Sequence, residues 1–281
     1  MIEPKHGKLS ITRQCALLDK SRSWYYYHPH RDPTKAAEDQ YHTELIRQAS
    51  NAIPFYGYRK IALEVTERFG VPLSFKQTLR IRQELGLRAV RLPPPISTPR
   101  TAHAVYPYLL TEKEITHVNQ VWQVDITYVR LPAGTVYLCT ILDVYSRKVL
   151  AWNLSNTMDI LFVLYLLTLA LQRYGAPEII NTDQGSQFTT EDWISMVEDL
   201  AIRVSMDGRG RATDNIYIER WWRSFKYEDL YFNQYETMQK LHAGIAAYVE
   251  FYNTRRFHQA LDYRRPDEVF NEADLTEEMA S

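Results

Sequence analysis

Residues 118–182 limit the possible folds more than any other part of the chain. Three apolar segments in this stretch alternate as β-strands do and follow one another with only short breaks, at 121–129, 136–144 and 148–154. Connections this short predict antiparallel pairing between neighbours. An apolar helix over 159–174 then ends at Gly175 and leads to a short strand at 178–182. This order predicts an α/β domain with a mixed sheet, because the last strand follows a helical crossover.

Three acidic residues lie in three different structural contexts in and after this stretch. Asp125 is inside the first strand, where alternation places its side chain on the face opposite the apolar residues. Asp183 directly follows the short strand after the helix. Glu219 lies in a later helical segment, with 35 residues between it and Asp183. Lys226 is seven residues beyond Glu219, so these two side chains share a helix face.

The sequence around the acidic residues resembles one protein family. The stretches that carry the resemblance are WQVDITY at 122–128, TDQGSQF at 182–188, SMDGRGR at 205–211, DNIYIE at 214–219, KYE at 226–228, and YN at 252–253 with Arg256, His258 and Leu261. Together with the spacing, they resemble the DDE signature of transposases and retroviral integrases, and most specifically the second-frame (OrfB) product of insertion-sequence-three-family transposases. YGYRKI at 56–61 and LGL at 85–87 are similar to the helical region that precedes the core in that family.

The resemblance implies both a fold and an activity. The implied fold class is α/β, a ribonuclease-H-like integrase catalytic core with a mixed five-stranded sheet and helices, preceded by a small all-α helix-turn-helix-like region. The implied activity is that of a DNA transposase, which cleaves and joins insertion-sequence ends by two-metal-ion phosphoryl transfer. Double-stranded DNA, as element ends and as target, is then the substrate. The implied partners are OrfA, as a separate protein or a frameshift fusion, and further copies of this chain on DNA.

By the same resemblance, the catalytic and metal-binding residues are Asp125, Asp183 and Glu219. Two divalent cations about 3.5–4 Å apart activate a water or a DNA 3′-hydroxyl on one side of a phosphodiester and stabilise the leaving oxygen on the other. Mg²⁺ prefers oxygen ligands and completes its coordination with water and substrate phosphate. The sequence has no His or Cys spacing typical of a zinc site. We therefore expect Mg²⁺ as the cofactor, with Mn²⁺ as an alternative.

Other carboxylates compete for a place in this site. Asp143 is near a predicted strand end, from which its side chain could reach the site, whereas Asp214 is better explained as a helix cap. Asp207 is a third competitor. Each selected acidic residue, taken alone, is more often a turn former or an ordinary surface charge. The combination of element order, spacing and flanking sequence is what favours the selected set.

Two other functions stay open. A catalytically silent DNA-binding regulator of transposition would share the same resemblance, but the intact acidic set favours an enzyme. A nuclease of the ribonuclease H type would share the core, but the basic helical N-terminal part and the segment at 252–261 disfavour it.

Composition sets the broad class of the protein. A chain of 281 residues, 45% of them apolar, suffices for a large core and for two or more domains. Cys15 and Cys139 are the only cysteines, so we expect no disulfide framework and a location in the bacterial cytoplasm, on the nucleoid when bound to DNA. The N-terminus is polar, and the longest apolar run, at 160–171, is too short to span a bilayer. We therefore expect no membrane association.

The formal net charge of −1 hides an asymmetry along the chain. Residues 1–110 contain 17 Lys and Arg against nine Asp and Glu, whereas residues 111–281 contain 16 against 25. The N-terminal part is therefore expected to hold duplex DNA through salt-dependent phosphate contacts. Its candidate contact residues are Arg59, Lys60, Lys76 and Arg80. A solvated basic surface unrelated to DNA is the plain alternative.

Four cations of the core are the other candidate DNA contacts. Arg223 and Lys226 follow Glu219 on its helix at i+4 and i+7, which directs them toward phosphate beside the metals. Arg209 and Arg211 lie in a Gly-rich loop that either closes over DNA or is an ordinary flexible loop. The residues expected to anchor this helix against the core are Trp221, Trp222 and Phe225.

Composition and helix signals divide the chain into five segments. They are an N-terminal helix-turn-helix-like segment at 1–38, a helical helix-turn-helix-like DNA-binding domain at 39–90, a proline-rich linker at 91–117, the catalytic core at 118–275 and an acidic tail at 276–281. Ser10 is predicted to cap a helix in the first segment, and Ser74 one in the second. The prolines of the linker favour extended conformation, which suits a spacer or a segment that follows a DNA backbone.

Overall fold

The computed structural model describes residues 2–4, 6–27, 33–90, 106–111, 113–207 and 215–278. The chain divides into two compact units, residues 1–90 and 91–281. Most of the predicted proline-rich linker lies outside the described residues, as do Arg209, Arg211 and Asp214. None of the helices in the described ranges has the length and apolar content that crossing a lipid bilayer requires.

The first unit is helical. Its described helices are α1 (Ile11–Leu17), α2 (Arg22–Tyr27), α3 (Pro33–Ala52), α4 (Tyr58–Phe69) and α5 (Phe75–Glu84). Both predicted caps are confirmed: the hydroxyl of Ser10 accepts a hydrogen bond from the backbone N–H of Arg13, and the hydroxyl of Ser74 accepts one from that of Gln77. Each cap satisfies a backbone donor that has no partner inside its helix.

Helices α4 and α5 are joined by a short turn and pack on α3. Gly70 ends α4 in the left-handed conformation, with φ of 69°, which glycine adopts without steric cost. Ser74 then begins α5. Apolar side chains from all three helices form the shared core and are almost completely buried: Ile46, Ile61, Val65 and Ile81. The described core of the first unit is thus two helices joined by a short turn and packed on a third.

The second unit is built on a five-stranded mixed sheet. Its strands are β1 (Val121–Leu131), β2 (Gly134–Asp143), β3 (Val149–Ser155), β4 (Ile179–Thr182) and β5 (Arg203–Met206). Their order across the sheet is β3-β2-β1-β4-β5. Strand β2 is antiparallel to β1 and β3, and β4 is parallel to β1 and β5. The three predicted antiparallel strands and the crossover to a fourth strand are thus confirmed.

Helices cover both faces of this sheet. They are α6 (Ile160–Tyr174), α7 (Glu191–Asp199), α8 (Ile216–Phe225), α9 (Tyr231–Asn233), α10 (Met238–Thr254) and α11 (Pro266–Glu278), with a π-helical turn at Lys226–Leu230 and a 3-10 turn at Gln259–Leu261. Trp122 and Val124 of β1 pack with α6 and α7 on one face. Helices α8 and α10 pack on the other face, where the predicted anchors of α8 are confirmed: Trp221, Trp222 and Phe225.

Helix α8 runs alongside β1 in the same direction. The side-chain oxygen of Gln123 accepts a hydrogen bond of 3.0 Å from the backbone N–H of Ile218, and the carboxylate of Asp125 accepts one of 2.8 Å from the indole of Trp222. Two residues advance a strand by about 6.6 Å, and four residues advance a helix by about 6 Å. The two spacings match, so the two contacts fix the helix along the strand.

Residues near the C-terminus that carry the family resemblance hold α8 and α10 in place. The side chain of Asn253 exchanges two hydrogen bonds, of 3.0 and 2.9 Å, with the backbone of Val149 in β3. Arg256 forms a mostly buried, two-pronged ion pair with Glu228 in the π-helical turn. Tyr248 of α10 donates a hydrogen bond of 2.8 Å to the same carboxylate. These residues therefore have a structural role.

Candidate active site

Three aspartates stand in adjoining positions at one edge of the sheet. Thr182 of β4 lies opposite Val124 of β1 on one side and opposite Met206 of β5 on the other. Val124 and Met206 face the core beneath α6 and α7, so the residue after each points to the opposite face. In each case the next residue is an aspartate: Asp125 within β1, Asp183 directly after β4 and Asp207 directly after β5.

The Asp125 carboxylate is held at both oxygens. Its Oδ1 accepts a hydrogen bond of 2.8 Å from the backbone N–H of Ile126, and its Oδ2 accepts one of 2.8 Å from Nε1 of Trp222. Burial and the charge of Asp183 raise the pKa of Asp125 to about 7, the two hydrogen bonds oppose this shift, and the charge of Asp207 adds to it. Asp125 therefore keeps a proton to a higher pH than an ordinary aspartate does.

Asp183 depends on the glycine two residues later. The backbone N–H of Gly185 donates a hydrogen bond of 2.9 Å to Oδ1 of Asp183. A Cβ atom at position 185 would lie 2.8 Å from that oxygen, closer than real Cβ contacts permit. Burial raises the pKa of Asp183, and the hydrogen bond from Gly185 lowers it. This role was not among the sequence-based predictions, although the Asp-Gln-Gly spacing is a visible signal for it.

Asp207, one of the competing carboxylates, is a fixed neighbour of Asp183. Its Oδ1 accepts a hydrogen bond of 2.9 Å from Asn181, and its backbone carbonyl accepts one of 2.6 Å from the side chain of Gln184. The backbone N–H of Asp207 donates a hydrogen bond of 3.0 Å to the carbonyl of Thr182. This bond extends the pairing of β4 with β5 by one residue. Asp207 therefore adds negative charge beside the site.

The expectation that Asp143 would approach the site is wrong. Asp143 pairs with Trp122 at the start of β1, three residues before Asp125. Its carboxylate is completely buried and accepts hydrogen bonds from the backbone N–H of Asn119 and from the N–H and hydroxyl of Ser146. These contacts organise the turn between β2 and β3, and burial raises the pKa of Asp143.

Glu219 lies on α8, one helical turn before Trp222, and is largely exposed. It therefore occupies the helix face that contacts Asp125, and partial burial of its carboxyl raises the pKa of Glu219. In the described ranges, no group of three or more Asp, Glu, His or Cys side chains is close enough together to hold a metal ion. The structure thus places Asp125 beside Asp183, and Glu219 lies on the adjacent helix.

The two cations that follow Glu219 differ in exposure. Lys226 begins the π-helical turn directly after α8 and is half-buried. Burial lowers the pKa of Lys226, and the negative charge of Asp125 opposes the shift, so the amine is within electrostatic reach of that carboxylate. Arg223 is exposed in the last turn of α8.

Lys76 and Arg80 of the first unit differ in their ion pairs. Arg80 forms ion pairs of 2.9 Å with both Asp39 and Glu84, so its charge is already balanced. Lys76, in the first turn of α5, is exposed. Within the described helices, Arg80 is paired with carboxylates and Lys76 is not. Lys76 is therefore the better candidate for a DNA contact.

Arg59 and Lys60, at the start of α4, both contact aromatic rings. The guanidinium of Arg59 donates a hydrogen bond of 3.2 Å to the hydroxyl of Tyr58. The amine of Lys60 lies 4.9 Å from the centre of the Tyr56 ring. These two candidates are therefore held near the first turn of α4.

We expect the metal-free protein to lose stability as the pH rises toward neutrality. With the pKa of Asp125 raised from 3.8 to about 7, the folded protein keeps a proton that the unfolded chain releases. Stability therefore falls as the pH rises from about 4 to about 7, by at most on the order of 1 kcal/mol per pH unit. Asp125→Asn should make this dependence weaker, and the raised pKa values of Asp143, Asp183 and Glu219 account for what remains. Urea unfolding of both proteins in EDTA across this pH range is the measurement, and parallel pH responses would contradict the expectation.

Two models of the integrase core domain match the chain, over residues 115–212 and 200–266. The first match contains Asp125 and Asp183, and the second contains Glu219. The sheet and helices α6 to α10 lie within the two matches. Integrase core models thus cover all three acidic residues.

Curated relatives align along most of the chain. The transposase for insertion sequence element IS904 of Lactococcus lactis subsp. lactis is 28% identical over 255 residues, which covers 84% of this chain and 96% of the relative. Transposase InsF for insertion sequence IS3A of Escherichia coli is 28% identical over 280 residues, covering 96% and 97%. The 31 kDa protein of insertion element IS600 of Shigella sonnei is 29% identical, covering 88% and 93%.

Two solved structures that match the chain are of viral integrases. The HTLV-2 integrase catalytic core domain in complex with magnesium has a TM-score of 0.46 and 18% identity, over 55% of this chain and 97% of that chain. A chain of the simian T-cell lymphotropic virus intasome in complex with PP2A regulatory subunit B56 gamma has a TM-score of 0.47 and 18% identity, over 80% and 74%. The strand order and flanking helices are those of the predicted ribonuclease-H-like integrase fold. The chain is thus similar to integrase core domains over residues 115–266 and to insertion-sequence transposases along most of its length.

Proposed function

We propose that this chain is a DNA transposase that cleaves and joins insertion-sequence ends by metal-dependent phosphoryl transfer. The observation that carries the proposal is the placement of Asp125 and Asp183 at adjoining positions of two parallel strands, beside the helix that bears Glu219. Oxygen ligands from three elements suit a site that holds cations and leaves room for a DNA phosphate. Relatives named as transposases, aligned along 84% or more of the chain, support the same activity.

The carboxylates fit divalent cations. Asp125 and Asp183 are half-buried, and the charge of Asp183 disfavours ionisation of Asp125. A cation relieves this repulsion as a proton does. We assign Asp125, Asp183 and Glu219 as ligands of Mg²⁺, with Mn²⁺ as the alternative. When bound, such cations activate the attacking hydroxyl and stabilise the leaving oxygen.

The chain itself fixes two of these ligands and leaves the third adjustable. Asp125 is held by Ile126 and Trp222, and Asp183 by Gly185. Glu219 is largely exposed, and in the described ranges the three carboxylates do not form a group close enough to hold a metal ion. A change of its side-chain rotamer then brings Glu219 to the site when cations and DNA are bound.

Lys226 is assigned to a DNA phosphate near the scissile bond. Its amine is half-buried, close enough to Asp125 to respond to its charge, and follows directly after α8. Burial disfavours the charged amine unless an anion is near, and a phosphate at the reacting centre would provide one. Arg223, exposed one turn earlier, is assigned to the flanking DNA backbone.

The helical first unit is assigned to DNA binding. In helix-turn-helix proteins the second helix enters the major groove with its N-terminal residues toward the bases, and here that helix is α5. Lys76 is exposed in its first turn. The excess of basic residues over 1–110 supports the same assignment.

The proposed reaction also implies partners. Two element ends must be brought to one target, so we propose that several copies of this chain assemble on DNA. An upstream-frame OrfA protein, separate or fused by frameshifting, is proposed to contribute to end recognition. The assembly would act on the nucleoid in the bacterial cytoplasm.

Removing any one proposed metal ligand should abolish cleavage and joining. Asp125→Asn, Asp183→Asn and Glu219→Gln each remove one ligand charge from a two-metal site, whereas binding of end-bearing DNA should persist. Gel assays of cleavage and strand transfer with Mg²⁺ measure the first effect, and DNA-binding titrations the second. Asp192→Asn, an exposed carboxylate in the first turn of α7, is the control and should keep full activity.

Wild-type joining by any of the three variants would remove that residue from the metal site. A wild-type protein that binds ends but neither cleaves nor joins them, with Mg²⁺ or Mn²⁺ and with an upstream partner present, would instead support the catalytically silent regulator.

Gly185→Ala should lower joining at least tenfold while leaving the fold intact. The added methyl would lie 2.8 Å from Oδ1 of Asp183, so the carboxylate must move, and displaced ligands or their supports commonly cost about 10- to 100-fold in activity. Strand-transfer rates over a range of Mg²⁺ concentrations measure the effect. Ser186→Ala, at an exposed neighbouring position, is the control. Equal rates for the two variants would show that Asp183 tolerates displacement.

Lys76→Ala should weaken the binding of duplex DNA and make it less dependent on salt. Loss of one phosphate contact lowers the slope of log affinity against log salt by about one. Arg80→Ala should change the slope less, because Asp39 and Glu84 already balance that charge. Titrations of end-bearing DNA at several salt concentrations compare the two. A larger slope change for Arg80→Ala would contradict the assignment.

A further inference from the structure

Trp222 connects two parts of the active site that are far apart in sequence. Its indole Nε1 donates a hydrogen bond of 2.8 Å to Oδ2 of Asp125, across a sequence separation of 97 residues. The side chain is 6% exposed, so water competes little for the bond. A hydrogen bond to an ionised carboxylate is about twice as strong as one between neutral groups.

The fold does not require every buried indole to find an acceptor. Among the described residues, the indole N–H groups of Trp193 and Trp221 are buried without a hydrogen-bond partner. Trp221 precedes Trp222 directly and packs on Phe225, Tyr248 and Tyr252. Two adjacent tryptophans on α8 therefore have different roles: one fills the core, and the other also reaches a carboxylate.

The bond to Trp222 completes the support of Asp125. The other oxygen of Asp125 is held by the backbone N–H of Ile126 at 2.8 Å, so rotation of the carboxylate would break at least one hydrogen bond. Each carboxylate oxygen has a second lone pair for a cation. The two bonds therefore orient the ligand without consuming it.

The same bond also positions the third acidic residue. Glu219 lies one helical turn before Trp222. Residues at this spacing share a helix face, so Glu219 and Trp222 are on the same face of α8. Any shift of α8 that moves Glu219 along β1 must stretch the bond between Trp222 and Asp125. The hydrogen bond of 3.0 Å from the backbone N–H of Ile218 to the side chain of Gln123 holds only the start of the helix.

We infer that Trp222 is a positioning residue of the active site, whose indole N–H fixes the Asp125 carboxylate and couples it to the helix that carries Glu219. The inference rests on the proposed transposase function. It assigns to Trp222 a role that packing alone does not provide, because the indole N–H donates a hydrogen bond to Asp125 that a phenyl ring could not donate.

The test compares one change at two adjacent positions. Trp222→Phe and Trp221→Phe each replace an indole by a phenyl ring, but only the first removes a hydrogen bond to Asp125. Trp222→Phe should lower the strand-transfer rate about 10- to 100-fold, the range typical for loss of a group that orients a metal ligand. It should also raise the Mg²⁺ concentration needed for half-maximal rate, with end-DNA binding unchanged.

Trp221→Phe should show the opposite combination. Trp221 is completely buried among aromatic rings, so its replacement leaves a cavity and lowers the melting temperature more than Trp222→Phe does. Its strand-transfer rate, measured well below the melting temperature, should stay near that of the wild type. Equal losses of rate in both variants, or a wild-type rate and Mg²⁺ dependence in Trp222→Phe, would overturn the inference.

A second measurement needs neither metal nor activity. The chain contains six tryptophans, so ¹⁵N-labelled protein in EDTA gives six indole N–H signals, and the signal of Trp222 is the one lost in Trp222→Phe. Asp125→Ala removes the acceptor and should shift the Trp222 signal toward that of a non-bonded indole, while the Trp221 signal moves less. An unmoved Trp222 signal would overturn the inference.

The outcomes separate this inference from the proposed function. If Asp125→Asn abolishes joining but Trp222→Phe joins as the wild type does, the transposase assignment stands and the role of Trp222 is wrong. If Asp125→Asn joins normally, the proposed metal site fails, whatever the NMR signal of Trp222 shows.

Discussion

The parallel pairing of β1 with β4 is the constraint on which the site depends. It sets Val124 opposite Thr182 and so places Asp125 beside Asp183. Because strand side chains alternate, a slip of one residue would turn Asp125 toward α6 and α7 and bury it among apolar groups. The same slip would move Trp122 and Val124 out of their core. The residues that build the core therefore also fix the register of the carboxylates.

Helix α8 adds the second constraint, and elements near the C-terminus maintain it. Asn253 fastens α10 to β3, and Arg256 holds Glu228 in the π-helical turn that follows α8. Removing one partner of a mostly buried ion pair is strongly destabilising, by about 3–5 kcal/mol. The position of Glu219 thus depends on residues that never approach the site, which explains why the family resemblance extends beyond the acidic residues.

Local patterns in the sequence predicted the strands of the core, the caps at Ser10 and Ser74, and the crossover order, because each depends on neighbouring residues. They did not predict contacts between distant residues. Asp143 was expected near the site, but its carboxylate is used by a turn. The bond from Trp222 to Asp125 spans 97 residues, and the ion pair from Arg80 to Asp39 spans 41. The hydrophobic periodicity of a sequence does not indicate which acceptor an indole or a guanidinium will bond in the folded protein. The roles of Asp125, Asp183 and Glu219 in metal binding stay predictions.

Two carboxylates of the second unit show how the same fold treats structural and chemical groups differently. Glu228 is neutralised within the protein by Arg256 and receives a further bond from Tyr248. Among the described residues, the hydrogen bonds to Asp125 come from neutral donors, and burial together with the charges of Asp183 and Asp207 raises its pKa to about 7. A carboxylate already paired with an internal cation would have little affinity for another. The electrostatic repulsion among Asp125, Asp183 and Asp207 therefore remains in the folded protein, and a bound cation would relieve it. For this reason these three carboxylates are suited to binding a cation rather than to stabilising the fold.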